Sequence, residues 1–199
     1  MTRHFILRHG NTFDPGDTVL RIGARTDIPL SKSGWSQAQQ QADWLRDELH
    51  GETPDLIVGP LLRTRQTGEV IANAFDTSLS IRIDPNLREV DYGPDEGCPE
   101  SEVRARIGIT ALERWENDAV VPTGWQVDAH ALTEVWKSVL NRSVDKAQIY
   151  VTSNGVARFA LTALGERPRK LRTGSAGLIE FANGAPVLKF WDQSPHDLA

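Results

Sequence analysis

Cysteine is almost missing: the 199 residues contain one, Cys98, together with a single methionine. One cysteine excludes an intramolecular disulfide and any site built from clustered thiolates, and it suits a reducing compartment. Long apolar runs are missing too, so no segment reads as a membrane span. The opening "MTRHFILRHG" has neither the apolar h-region nor the cleavage signal of a secretory leader, and the expectation is a cytoplasmic protein. Positive charge is in deficit, with 22 Lys and Arg against 27 Asp and Glu and a formal net charge of −5. That balance argues against nucleic acid as the main partner and leaves room for a local arginine cluster holding a small anion. The five histidines show no ligand spacing, with His50, His130 and His196 scattered, so no metal site is expected. Repeats, low-complexity tracts and linkers are absent as well. A chain of 199 residues then reads as one domain, 1–199, long enough to bury a sizeable core.

What is present is an alternation of strand and helix patterns. "HFILR" reads as a buried strand, and "SGWSQAQQQADWLRDELHG" as an amphipathic helix with Trp35, Ala38, Ala42, Leu45 and Leu49 on one face and Gly51 as its stop. "DLIVG" is a second strand, "PLLRTRQTGEVIANAF" a second helix with Pro60 near its first turn, and "SIRID" a short strand. Residues 84–99, rich in Pro, Gly, Asp and Glu, form the longest stretch without periodicity, and loops of that length in a compact domain are usually functional. Two helical patterns follow, around Glu100 to Asn117 and Val127 to Arg142, and are expected to form a small helical cap, making 84–145 an elaboration within the domain. "AQIYVTS" returns as a strand, "GVARFALTALG" as a helix ending at Gly165, and "GLIEFANGAPVLKFW" as a hairpin turning at Asn183 and Gly184. The expected fold is α/β: a three-layer, mostly parallel sheet with helices on both faces.

In an open α/β sheet, ligands collect outside the carboxyl ends of the strands. Arg8 and His9 leave the first strand there. Gly59 and Pro60 leave the second, with Arg63 and Arg65 in the first turn of the next helix, where the helix end and a guanidinium both favour an anion. Ser153, Asn154 and Gly155 end a third strand at the same rim. The 84–99 loop offers Glu89, Asp91, Asp95 and Glu96 as proton donors. A histidine, several arginines and a carboxylate suit phosphoryl transfer through a covalent histidine: a neutral imidazole attacks phosphorus, arginines hold the equatorial oxygens, and an acid protonates the leaving alcohol. His4 falls on the opposite face of its strand and reads as structural, and Arg65 reads as an ordinary surface residue.

The blocks "LRHGNT", "GARTDIPLSKSGWSQAQ", "GPLLRTRQTGEVI" and "LREVDYGPDEG", in that order, resemble the histidine phosphatase superfamily, also called the phosphoglycerate mutase-like family. The resemblance covers most of residues 3 to 160. It implies a phosphoglycerate mutase-like fold, His9 as the phospho-accepting histidine, Arg8 and Arg63 as phosphate clamps, and Glu89 as the proton donor. It also implies a small phosphorylated substrate and no cofactor or metal. The family's second histidine, before a glycine, is replaced in "IYVTSNGVARF" by Asn154. "PTGWQVD" stands where the phosphatase branch often reads Pro-Gly-Gly-Glu-Ser, and Asp95 where a tryptophan often precedes Glu-Gly. The expected activity is hydrolysis of a phosphomonoester through phospho-His9, with Asn154 joining the phosphate pocket. The alternatives are a weak or silent relative that binds a phosphorylated ligand or a protein partner, and a phosphoglycerate mutase-like phosphotransferase, for which the chain is short.

Overall fold

The computed structural model describes residues 2–75 and 78–198. Chain order runs β1 (Thr2–Arg8), α1 (Lys32–Glu48), β2 (Asp55–Val58), α2 (Leu62–Asn73), β3 (Ile81–Ile83), α3 (Glu100–Ile107), α4 (Ile109–Asp118), α5 (Ala129–Leu140), β4 (Gln148–Thr152), α6 (Asn154–Ala163), β5 (Ala176–Ala182), β6 (Ala185–Gln193) and α7 (Pro195–Leu198). The strands form one six-stranded sheet in the order β3-β2-β4-β1-β5-β6. Strands β1 to β4 run parallel, and β5 and β6 close the sheet antiparallel.

The central strands are covered on both faces, which is why they read as unbroken apolar runs rather than alternations. Along β1 the two-residue period sends Ile6 to one face, with Ile57, Tyr150, Trp136 and Phe159, and Phe5 and Leu7 to the other, with Ala42, Leu45, Val58 and Ile71. The hairpin between β5 and β6 turns on Asn183 and Gly184, both at positive φ, as a two-residue primed turn requires.

Three elements depart from the pattern reading. The buried face of α1 is Gly34, Ala38, Gln41, Ala42 and Leu45, while Trp35 is exposed. Its first turn packs backbone against backbone, and Gln41 lies in the interior because its amide donates to the carbonyls of Arg8 and Ser175. The stretch from Glu100 to Asn117 is two helices, broken at Gly108, whose φ of +81° stops α3 and starts α4. Helix α5 belongs to the body: Trp136 is fully buried, its indole donates to the Val156 carbonyl at 2.9 Å and its ring meets the edge of Tyr150. The residues of this region that roof the cavity, Glu100, Arg104 and Glu116, come from α3 and α4.

His4 lies on β1 inside the core, 1% exposed, stacked on Tyr150, with neither ring nitrogen hydrogen-bonded. Burial lowers its pKa to about 4. The unfolded chain, with an ordinary imidazole near 6.5, therefore binds the proton more readily than the folded one, and stability falls as pH drops from about 6.5 toward 4. His4→Phe is expected to flatten that loss in thermal melts between pH 7 and pH 4.5. Equal slopes for the two proteins would show that His4 titrates normally in the fold.

Candidate active site

The carboxyl ends of β1 and β4 open on a cavity of about 480 Å³, lined by Arg8, His9, Glu89, Tyr92 and Asn154 and roofed by residues of α3 and α4. His9 follows β1 directly, its N–H donating to the Thr152 carbonyl at 3.1 Å. The glycine that follows it is there for close approach. A Cβ on Gly10 would stand 2.2 Å from the Gly34 carbonyl oxygen, so only glycine lets the first turn of α1 pack against the loop that carries the histidine.

His9 is 2% exposed, and its two nitrogens have different neighbours. Nδ1 lies 2.7 Å from the Gly10 carbonyl oxygen, which can only accept, so Nδ1 carries the proton. Nε2 accepts from Arg63 Nε at 3.2 Å, so its lone pair is directed at a fully buried guanidinium behind the cavity lining. Burial first, then Arg63 and Arg8, hold the pKa of His9 well below the usual imidazole range, while the Gly10 contact opposes them. At neutral pH the ring is therefore neutral, with Nε2 as its acceptor.

Arg63 is fully buried in the first turn of α2. Its Nη1 and Nη2 donate to the carbonyls of Thr26 and Gly23 at 2.7 and 3.2 Å, which fixes the guanidinium plane and ties the 20–30 loop to the site. Arg8 donates through Nη1 to Leu171 at 2.9 Å, and its Nε is buried without a partner. Arg65 is exposed.

Glu89 is 6% exposed, its Oε1 accepting from the Val90 N–H at 2.9 Å and its Oε2 from the Gly155 N–H at 3.3 Å. A Cβ at Gly155 would lie 2.2 Å from Oε1, so this glycine makes room for the carboxylate. Of the four loop carboxylates, Glu89 alone lines the cavity. Asp95 is bonded to Arg106 and to the Trp125 indole, Glu96 accepts from the Arg25 and Thr26 side, and Asp91 accepts from Gly93 N–H. Tyr92 stays protonated, since burial and then Glu89 push its ionisation up.

Asn154 is the first residue of α6 and lines the cavity. Its Oδ1 accepts from the Leu171 N–H at 2.9 Å, which latches the 166–175 segment to α6 and leaves the amide N–H₂ as its remaining donor. The register pairs Arg8 with Thr152, so the next pair across β1 and β4 is His9 and Ser153, not His9 and Asn154. The residue that pattern reading missed is Arg158, fully buried one turn further along α6. A lone arginine inside the apolar run "GVARFALTAL" was the available signal.

Among the described residues no group of three or more His, Cys, Asp or Glu is placed to hold a metal ion, and no helix is long and apolar enough to cross a membrane. The chain is 36% identical over 208 residues to the Cronobacter sakazakii protein named probable phosphoglycerate mutase GpmB, covering 96% of this chain and 90% of that one. It is 36% identical over 101 residues to zebrafish (Danio rerio) fructose-2,6-bisphosphatase TIGAR B, covering 50% of this chain and 38% of that one. In fold it is similar to the phosphoserine phosphatase of Entamoeba histolytica, solved with 3-phosphoglyceric acid, at a TM-score of 0.76 and 20% identity over 99% and 100% of the two chains. The sequence pattern of the histidine phosphatase superfamily (branch 1) matches residues 4–194, and with the phosphoglycerate mutase-like sheet described above the chain belongs to that superfamily.

Proposed function

We propose that this protein hydrolyses a small phosphomonoester through a phosphohistidine at His9. The observation that carries this reading is the state of the His9 ring: a neutral imidazole, its Nδ1 proton fixed on Gly10, with the Nε2 lone pair turned toward a buried arginine at the strand ends. A phosphoryl group entering there displaces the Arg63 Nε contact. Its oxygens then lie between Arg63 and Arg8, whose unpartnered Nε is a ready donor. Nε2 attacks phosphorus as the ester P–O bond breaks, and Glu89 delivers a proton to the departing alkoxide. In the second half, Glu89 takes a proton from the attacking water, and the P–N bond breaks to return neutral His9. Asn154 offers its amide N–H₂ to the same group. No cofactor or metal enters the scheme.

Relatives that match this chain bear mutase and bisphosphatase names alike, and the rate at which water reaches the phosphoenzyme decides between hydrolysis and retransfer. The test is a panel of phosphomonoesters, with rapid acid-free quenching and intact-mass analysis of the enzyme. An acid-labile, base-stable phosphate on His9 that forms and decays at the rate of turnover is expected. Hydrolysis with no such adduct, or no hydrolysis of any ester in the panel, would overturn the reading.

A further inference from the structure

We propose that Ser153 donates a hydrogen bond from its Oγ to the phosphoryl group carried on His9; the proposal rests on the reading of His9 as nucleophile. His9 leaves β1, and Arg63 belongs to the helix that follows β2, yet in the sheet β4 lies between those two strands. Their 3.2 Å contact therefore spans the end of β4, and the residue at that end is Ser153. The β1–β4 register says the same from the other side: with Arg8 opposite Thr152 and the His9 N–H on the Thr152 carbonyl, Ser153 is the lateral neighbour of His9. Neighbours in register on parallel strands present their side chains to the same face of the sheet.

Ser153 also has a hydroxyl with nothing to do. It occupies the N-cap of α6, a position where serine usually bonds the backbone N–H two or three residues on, but it makes no such cap bond. Its Oγ is fully buried without a partner. A buried hydroxyl left unpaired costs stability, so a serine at that place is accounted for by a partner that arrives with the ligand. Such a partner must be an acceptor standing between His9 Nε2 and Arg63, which is where a phosphoryl oxygen lies in the scheme above. Ser153 keeps its proton throughout; it donates to a non-bridging oxygen while the P–O bond breaks and the P–N bond forms. This donor differs from Asn154, whose oxygen is held by Leu171 and whose place is one residue into the helix.

The experiment compares Ser153→Ala, Ser153→Thr and wild type in two measurements: rapid-quench formation of phosphoenzyme from p-nitrophenyl phosphate, and calorimetric binding of orthovanadate, with melting midpoints for all three. For Ser153→Ala, phosphoenzyme formation about 10- to 100-fold slower and vanadate binding weaker by a similar factor are expected, which is the range for losing a bond to a charged acceptor. Its midpoint should equal or exceed that of wild type, because no protein bond is lost, and Ser153→Thr should restore most of the rate. If wild type forms phospho-His9 and Ser153→Ala matches it in both rate and vanadate affinity, the proposal is overturned while the nucleophile stands. A lowered midpoint with unchanged chemistry would make Ser153 a cap of α6, which also overturns it. If wild type hydrolyses ester without a phosphoenzyme, the nucleophile reading falls. The vanadate arm then decides alone, an unchanged affinity removing Ser153 from the anion site.

Discussion

His9→Ala is expected to lower turnover of every phosphomonoester the protein hydrolyses by about 10³- to 10⁶-fold, the scale seen when a covalent nucleophile is removed and only positioning remains. Vanadate or phosphate affinity should change far less, because Arg8 and Arg63 keep their carbonyl anchors on Leu171, Thr26 and Gly23. That split between chemistry and binding is what a nucleophile gives and a structural histidine does not. The pH profile supplies an independent check. The reactive form is the neutral ring, and burial, Arg63 and Arg8, in that order, hold its pKa well below 6.5. The acid limb of kcat/KM should accordingly lie well below pH 6.5, with no loss of rate as pH falls from 7.5 to 6.5. Arg63→Met removes one of the two cations, so it should raise the pKa of His9 and move the acid limb to higher pH while weakening phosphate binding. An acid limb near 6.5 in wild type, or turnover by His9→Ala within tenfold of wild type, would refute the role given to His9.

Much of this site was legible because its residues sit at ends of elements, where pattern and chemistry coincide. His9 and Arg8 end an apolar run and Arg63 opens a helix, so strand and helix boundaries brought these three to one rim, whereas Glu89 was one of four carboxylates in the long aperiodic loop and was singled out only by the family resemblance. What stayed hidden depended on contacts that period and composition do not encode. Gln41 takes a core position on α1 because two backbone carbonyls need its donor, and Trp35 is displaced from the interior because Gly34 lets the chain approach too closely for a side chain. Gly108 could have been tolerated within one helix, and its positive φ is decided by where α4 must lie to bury Trp115. The distinction between Ser153 and Asn154 is a matter of strand register, and register between β1 and β4 is set across more than a hundred residues of intervening chain. No local reading of "VTSNG" fixes it.

Arg158→Ala is expected to destabilise the protein by about 3 to 5 kcal/mol. The side chain is fully buried. Its Nε donates to the Asn154 carbonyl at 3.2 Å, its Nη1 to the Trp115 carbonyl, and its Nη2 to Glu116 at 3.4 Å, while the guanidinium lies 4.3 Å from the centre of the Trp115 ring. Truncation leaves a cavity beside Trp115 and removes a charged donor from the Trp115 carbonyl, which keeps only the Ala119 N–H. The Glu116 carboxylate contributes less, since a third of its side chain is exposed and water can take over. Arg158→Met separates the two causes: it refills most of the space without restoring the bonds, so it should recover the packing share and remain about 1 to 3 kcal/mol below wild type. The consequence for function follows from what Arg158 joins. Its bonds run between α6, whose first residue Asn154 lines the cavity, and α4, which holds Glu116 in the cavity wall, so the guanidinium adds polar anchors to the Trp115–Phe159 packing that joins the two helices. Both variants should therefore raise KM for ester substrates more than they lower the rate of phosphoenzyme formation, because the wall that grips the leaving group loosens while His9, Arg8 and Arg63 keep their own anchors. Urea unfolding and steady-state kinetics on the same preparations measure the two effects. An Arg158→Ala protein as stable as wild type would mean that the buried guanidinium is held by desolvated contacts with no net worth, and that the cap is anchored elsewhere.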